Sequence, residues 1–273
     1  MFAMGLTTTT YEIKAALIAP SSVLVVVSNF ICCFGLMPLL ALSTSSLLQL
    51  PVELRAGTII LGCVGGGQAS NLFALLAGGD VSLSVVCTAT TTILGAFLTP
   101  LLISTMLRTS VVMNAPALLK STLSLVLTPL LSGVLCRNLF PKISKRIIPY
   151  CPSLGLLSTM ALVAGGAANS ASSMMGSMSI SGMKAVAASC LLPILGAIVS
   201  LVVGNLLDID ERSKRTLVIE VLSKSPTVAY VLTLRHFEAT AASVPGAGMV
   251  SLAIVGAAVA SIWSLPRCDI ARK

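Results

Sequence analysis

The sequence has few charged residues, few aromatic residues and a single histidine. Of its 273 residues, 10% are charged and 4% are aromatic, and the one histidine is His236. A water-soluble domain carries about a quarter of its residues as charged side chains, so a soluble globular protein is excluded. Apolar residues make up 56% of the chain and occur in continuous runs. We therefore predict an integral membrane protein.

Residue patterns of enzymes, metal sites and nucleic-acid-binding proteins are also missing. One histidine offers no Ser-His-Asp arrangement within one membrane layer, and Gly65 to Gly67 lack the following Lys-Ser or Lys-Thr of a phosphate-binding loop. Most of the eight cysteines lie in apolar runs without metal-ligand spacing and are interpreted as small buried side chains. The net charge of +8 is carried by loop residues, not by a nucleic-acid surface. We predict a protein that is not an enzyme, with no catalytic residues, cofactor or nucleic-acid partner.

The apolar runs predict an all-helical, polytopic fold, because they lack the alternating pattern of a membrane β-barrel. We expect about eight spanning helices within one transporter domain, 1–273, that is incomplete at its N-terminus. The apolar start, Met1 to Leu6, is interpreted as the end of a helix that begins upstream. The predicted spans are about 21–48, 54–77, 81–107, 116–135, 153–168, 183–207, 216–234 and 245–263.

The lysines and arginines predict the orientation of these spans. With eight crossings, eleven of the seventeen lie on one side and five on the other, while Lys224 lies inside a span. The richer side carries Lys14, Arg137, Lys142, Lys145, Arg146, Arg212, Lys214, Arg215, Arg267, Arg272 and Lys273. Because cytoplasmic loops carry an excess of positive charge, we expect both termini on the cytoplasmic or organelle-interior side.

Two of the predicted spans are interrupted. Three glycines, Gly65 to Gly67, break the span at about 54–77, and the segment Ser223 to Pro226 breaks the span at about 216–234. Paired broken helices in two halves of a chain are typical of transporters with inverted repeats, where unwound backbone binds ions near the midplane. Two further helices upstream would give a fold of five plus five helices, with the fourth helix of each half broken.

Polar residues with oxygen atoms cluster around these breaks. Ser70 and Asn71 follow the glycines, and Ser84 and Thr88 share one face of the next helix. Such oxygens are ligands for a hard cation, although small polar residues also pack helices together in bilayers. Glu220 lies inside the seventh span and indicates an ion or substrate path, or else an internal pair with Lys224 four residues later. His236 is interpreted as a solvated loop residue.

Six short motifs, taken together, resemble the bile acid:sodium symporter family, which includes plastid-type sodium/pyruvate carriers. They occur in family order across nearly the whole chain: Met4-Gly-Leu-Thr7, Met37-Pro-Leu-Leu40, Gly65-Gly-Gly-Gln-Ala-Ser-Asn71, Gly79-Asp-Val-Ser-Leu-Ser84, Phe140-Pro-Lys142 and Ile219-Glu-Val221. The resemblance implies ten helices in two inverted five-helix repeats, arranged as a panel domain and a core domain whose fourth and ninth helices unwind where they cross. It also implies that the family's first helix and most of its second are absent from this chain.

The resemblance further implies ion and substrate sites. Mapped by motif, the family's first sodium site corresponds to Ser70, Asn71, Ser84, Thr88 and Glu220, and all five residues fit it. The family's substrates are mostly organic anions. At the crossing, Gln68 stands where the family usually has Thr, and Ser225 stands where it has Asn.

The family's second sodium site cannot be built in the same way here. Two of its glutamine ligands correspond to Lys224 and Cys33, and an ammonium group has three donors and no acceptor. One hypothesis is that the Lys224 ammonium occupies roughly the place of the second sodium, neutralises Glu220 and leaves one coupled cation. The alternative is that Lys224 binds a substrate carboxylate directly.

These observations predict sodium-coupled secondary active transport of a small organic anion by alternating access. The substrate is expected to be a 2-oxo acid or a bile-acid-like or pantothenate-like anion, and the lipid bilayer, sodium and this anion are the expected partners. A proton-coupled carrier that uses Glu220, or a non-transporting truncated membrane protein, remains open as an alternative. We expect a multi-pass protein of the plasma membrane or of a plastid or other organelle envelope.

Overall fold

The computed structural model describes residues 2–7, 20–107, 115–150 and 180–264, together with six isolated positions between 151 and 179. Within these ranges the chain is helical, and it contains one isolated β-bridge and no strand. The helices are α1 (Phe2–Thr7), α2 (Pro20–Ile31), α3 (Met37–Leu47), α4 (Val52–Cys63), α5 (Ala69–Leu76), α6 (Val81–Leu107), α7 (Ala115–Leu139), α8 (Pro141–Ile147), α9 (Ile180–Leu206), α10 (Glu211–Leu222), α11 (Pro226–His236) and α12 (Ser243–Ser264). The predicted all-helical class is confirmed.

Five of the described helical segments are long and apolar enough to cross a bilayer. They are Ser22–Leu47, Val81–Leu107, Ala115–Leu139, Ile180–Leu206 and Ala239–Ser264. Most of the predicted span at about 153–168 lies outside the described residues, so the total of eight crossings stays a prediction. The two predicted spans that contain breaks correspond to the pairs α4–α5 and α10–α11.

The first long segment passes through a π-helical turn. The turn, Cys32–Leu36, joins α2 to α3, and the Met37 N–H bonds to the Cys32 carbonyl five residues earlier. Pro38 follows immediately and has no N–H to donate. The helix nevertheless continues past Pro38 into α3, with the change of register immediately before the proline.

A contiguous apolar core packs α2, α3, α4 and α6 against α9 and the pair α10–α11. Its fully buried side chains include Met37, Ile59, Leu192, Leu217 and Leu232. Large apolar side chains also cover the outer faces of the long helices, as with Ile198 on α9 and Ile254 on α12, which are 53% and 65% exposed. An outward apolar surface of this kind is compatible with lipid and not with water.

Helix α1 packs closely on α7 through a pair of glycines. A Cβ atom on Gly133 would lie 3.0 Å from the Cα of Gly5, so neither position has room for a larger side chain. Arg137 of α7 also donates a hydrogen bond to the Leu6 carbonyl at 2.7 Å. Small residues at a helix contact are the usual basis of close packing in membranes.

Helix α7 also contacts α11 through His236. The Nε2 atom of this half-buried histidine lies 2.5 Å from Ser121 Oγ of α7. The expected solvated loop role of His236 is therefore wrong, because the side chain joins two helices.

Candidate functional site at the helix crossing

The two interrupted helices cross at their breaks. Residues 64–68 between α4 and α5 and residues 223–225 between α10 and α11 are not helical. Gly66 and Lys224 form an antiparallel β-bridge in which the Gly67 N–H donates to the Ser223 carbonyl at 2.7 Å and the Ser225 N–H donates to the Gly65 carbonyl at 3.0 Å. These bonds satisfy backbone groups that each break releases inside the protein, as a membrane interior requires.

The glycines are needed because other backbone comes very close. A Cβ atom on Gly65 would lie 2.7 Å from the Thr91 carbonyl oxygen of α6, and one on Gly67 would lie 2.9 Å from the Lys224 carbonyl oxygen. Thr91 also accepts a hydrogen bond from the Gly66 N–H at 3.3 Å through its hydroxyl oxygen. The three-glycine run therefore lets α6 and the second break approach the first break from two sides.

Glu220 is fully buried on α10 and faces α6. Its carboxylate accepts hydrogen bonds from the Ser84 hydroxyl and from the Thr88 hydroxyl, the latter at 2.9 and 3.0 Å to the two carboxylate oxygens. Ser84 and Thr88 lie one helical turn apart, so both reach the same carboxylate although 132 and 136 residues separate them from it in sequence.

Ser70 and Asn71 complete this group from the start of α5. The Ser70 and Thr88 hydroxyl oxygens lie 3.0 Å apart, and the Asn71 Oδ1 atom accepts a hydrogen bond from Ser84 at 2.9 Å. Ser70, Ser84 and Thr88 are fully buried, whereas Asn71 is half-buried. The structure thus brings together five side chains from the consecutive helices α5 and α6 and the distant helix α10, which we call the oxygen cluster: Ser70, Asn71, Ser84, Thr88 and Glu220.

The hydrogen-bond partners of Lys224 lie outside the oxygen cluster. Its side chain is 3% exposed, and its ammonium donates hydrogen bonds to the carbonyl oxygens of Cys33 at 2.8 Å and Val64 at 3.1 Å. The ammonium also lies 5.7 Å from the centre of the Phe34 ring. Among the described residues the only recorded salt bridge joins Lys214 and Glu211. The interpretation of Glu220 and Lys224 as a direct ion pair is therefore wrong, because the helix ends between them and redirects the lysine.

The remaining candidate residues, Gln68 and Ser225, differ in position. Gln68 is exposed at the start of α5. Ser225 borders a recess that Thr91, Thr99 and Thr122 also line. Lys224 borders a different and mainly apolar recess. Two consecutive residues of the second break thus face different spaces.

Polar contacts that the sequence analysis did not anticipate fix the outer ends of the crossing helices. The Asp80 N–H at the start of α6 donates to the Thr216 hydroxyl of α10 at 2.7 Å, and Arg215 donates to the Ala77 carbonyl at 2.9 Å. Arg215 was interpreted only as a charge that sets orientation. No local sequence signal pairs these residues, because their partners are 136 and 138 positions away.

Comparison with known proteins agrees with the resemblance seen in the sequence. The model of the Sodium Bile acid symporter family matches residues 1–177. The chain is 36% identical to a protein of Arabidopsis thaliana named probable sodium/metabolite cotransporter BASS1, chloroplastic, over 96% of this chain and 64% of the relative. The rice BASS1 protein is 34% identical over 98% of this chain and 65% of the relative.

A bacterial relative extends the comparison beyond plants. The uncharacterized sodium-dependent transporter YocS of Bacillus subtilis is 28% identical over 97% of this chain and 80% of the relative. The chain thus spans slightly less than two thirds of the plant BASS1 relatives.

Proposed function

We propose that this chain, which belongs to the Sodium Bile acid symporter family, is a secondary active transporter that couples sodium to a small organic anion. The observation that carries the proposal is the fully buried Glu220 carboxylate, surrounded by hydroxyl and amide oxygens at a crossing of two broken helices. A buried carboxylate costs several kcal/mol unless a cation or hydrogen bonds compensate it. The plant relatives are named sodium/metabolite cotransporters, which supports the same conclusion.

The proposed coupling ion is one sodium held by the oxygen cluster. Hydroxyl and amide oxygens can turn their lone pairs to a hard cation, and Glu220 supplies the one negative charge that balances it. Ser84 and Thr88 donate their hydroxyl protons to the carboxylate. Rotation of these hydroxyl groups would turn their lone pairs toward a sodium ion.

The proposed substrate site is the recess beside Ser225. Threonine side chains give it a polar wall, and the N-termini of α5 and α11, which attract anions, meet at the crossing beside it. The proposed substrate is a 2-oxo acid or another short carboxylate, with the exposed Gln68 at the start of α5 beside the crossing.

The proposed architecture is the inverted-repeat ten-helix fold, with α7 in the panel domain and the crossing helices in the core domain. Thr122 of α7 and Gly65 of the first break border the same recess. Rocking of the core against α7 would open this recess to alternate sides of the membrane. The plant relatives are named chloroplastic, which favours a plastid envelope, with both termini on the interior side.

Uptake into proteoliposomes tests the proposal. Labelled pyruvate and other 2-oxo acids are offered with and without an inward sodium gradient, at fixed pH and then at varied pH without sodium. We expect uptake that the sodium gradient stimulates. Uptake that follows the proton gradient and ignores sodium would replace sodium with protons as the coupling ion, and no uptake of any anion by folded protein would contradict transport.

Thr88→Val removes a hydroxyl that contacts both Glu220 and Ser70. The variant loses an oxygen ligand of the proposed sodium ion, so we expect the sodium concentration for half-maximal uptake to rise roughly tenfold, which corresponds to about 1.4 kcal/mol. Thr88→Ser keeps the hydroxyl and should restore most of the affinity. Thr105→Val is the matched control, because the exposed Thr105 hydroxyl bonds only to the Leu102 carbonyl of its own helix. Equal sodium affinity in all three variants would remove Thr88 from the site.

A further inference from the structure

Two backbone carbonyl groups at the crossing lack the helical partners that they would normally have. In the π-helical turn the Met37 N–H donates to the Cys32 carbonyl instead of the Cys33 carbonyl. The next residue that could donate to the Cys33 carbonyl is Pro38, which has no N–H. Val64 lies just beyond the last residue of α4, where the helix ends. The two carbonyl oxygens therefore converge on one point with unused acceptor capacity.

The Lys224 ammonium occupies this point. It lies 2.8 Å from the Cys33 oxygen and 3.1 Å from the Val64 oxygen, with the face of Phe34 nearby, and the side chain is almost completely buried. Converging carbonyl oxygens with a buried aromatic face form a site for a small cation. Here the cation is the ammonium group of Lys224, a residue of the second break.

The charges of the crossing then balance in a simple way. Glu220 contributes one negative charge and Lys224 one positive charge, and no salt bridge joins them. The empty crossing is neutral as a whole. Loading one sodium ion and one monovalent carboxylate leaves it neutral again.

We infer that Lys224 is a built-in cation that limits the protein to one sodium ion per monovalent anion, so that transport moves no net charge. This inference rests on the proposed sodium-coupled function and adds its stoichiometry. Neither the empty nor the loaded crossing carries net charge, so the membrane potential drives neither half of the cycle. The sodium concentration gradient alone then supplies the driving force.

Equilibrium binding of radioactive sodium to the purified full chain tests the stoichiometry without any organic substrate. We expect one sodium ion per wild-type chain, with a Hill coefficient near one, and none in Glu220→Gln. Lys224→Gln should bind two, because a neutral amide oxygen joins the two freed carbonyl oxygens and no longer repels a second ion. Lys224→Arg keeps the charge and should bind one.

The outcomes separate this inference from the proposed function. Two sodium ions on the wild-type chain, or one on folded Lys224→Gln, would overturn the built-in cation and leave sodium coupling intact. No sodium on the folded wild-type chain would overturn sodium coupling itself. If Lys224→Gln does not fold, the wild-type count still decides the stoichiometry, and Lys224→Met provides a second uncharged variant.

Charge movement gives an independent readout. In proteoliposomes with a potassium diffusion potential, sodium-driven uptake of labelled pyruvate by the wild-type protein should be the same at positive and negative potential. Uptake by Lys224→Gln should increase when the interior is negative, because a second sodium ion then enters with each anion. Wild-type uptake that depends on the potential would contradict the inference.

Discussion

Glu220→Gln is expected to abolish sodium-stimulated uptake and to lower sodium affinity at least a hundredfold. The substitution keeps the size of the side chain and removes the one negative charge of the oxygen cluster. At about 4 Å and an effective dielectric constant of about 20, a unit charge pair contributes roughly 4 kcal/mol, and every 1.4 kcal/mol is about tenfold in affinity. The measurement is the sodium dependence of labelled pyruvate uptake, with direct sodium binding beside it.

Glu211→Gln is the matched control for this prediction. Glu211 lies on the same helix, α10, but it is exposed and pairs with Lys214 outside the crossing. Its neutralisation should leave sodium affinity within about a factor of two, since an exposed ion pair contributes little. If Glu220→Gln protein kept the sodium affinity of the wild type, the carboxylate would not be a sodium ligand.

Gly65→Ala is expected to disrupt the crossing as a whole. The added Cβ atom would lie 2.7 Å from the Thr91 carbonyl oxygen and 3.1 Å from the Thr91 carbonyl carbon, so the backbone of the break or of α6 must move. Overpacking of this kind costs about 1–3 kcal/mol. The shift would also weaken the hydrogen bond that Gly65 accepts from the Ser225 N–H. We expect a lower melting temperature and the loss of most sodium-dependent uptake.

Gly246→Ala shows whether this effect belongs to the position or to glycine in general. A Cβ atom on Gly246 of α12 would meet the Tyr230 ring at 3.5 Å, which is an ordinary contact. Alanine is the better helix former by about 1 kcal/mol, so this variant should be as stable as the wild type or more so. Normal uptake by Gly65→Ala would mean that the close approach to Thr91 is not required.

The sequence predicts the two breaks because their cause is local. Three consecutive glycines sacrifice helix propensity, and a proline at position 226 cannot donate within a helix. Residues 64–68 and 223–225 are non-helical in the structure, and Pro226 is the first residue of α11. The long apolar helices are equally visible in the sequence, since the bilayer fixes their length and composition.

The composition of the oxygen cluster is less accessible to sequence reasoning. Ser84 and Thr88 share a helix face by spacing alone, but only the resemblance to a family brought Glu220 to them from more than 130 residues away. The surroundings of Lys224 could not be predicted at all. They depend on the π-helical turn, in which hydrogen bonds join residues five positions apart instead of four. In this register the missing N–H of Pro38 leaves the Cys33 carbonyl without a partner, and no residue pattern predicts such a turn.

The lengths of the four half-helices determine how far an ion has to travel. Helices α4 and α10 have 12 residues each, while α5 and α11 have 8 and 11. At about 1.5 Å per residue these are roughly 12–18 Å long, about half of a hydrocarbon layer of about 30 Å. These lengths favour a position of the β-bridge between Gly66 and Lys224 near mid-depth of a bilayer. The sodium ion that we propose for this site would then have half of the insulating thickness on each side, so that small movements at either face would change its access while the ion stays in place.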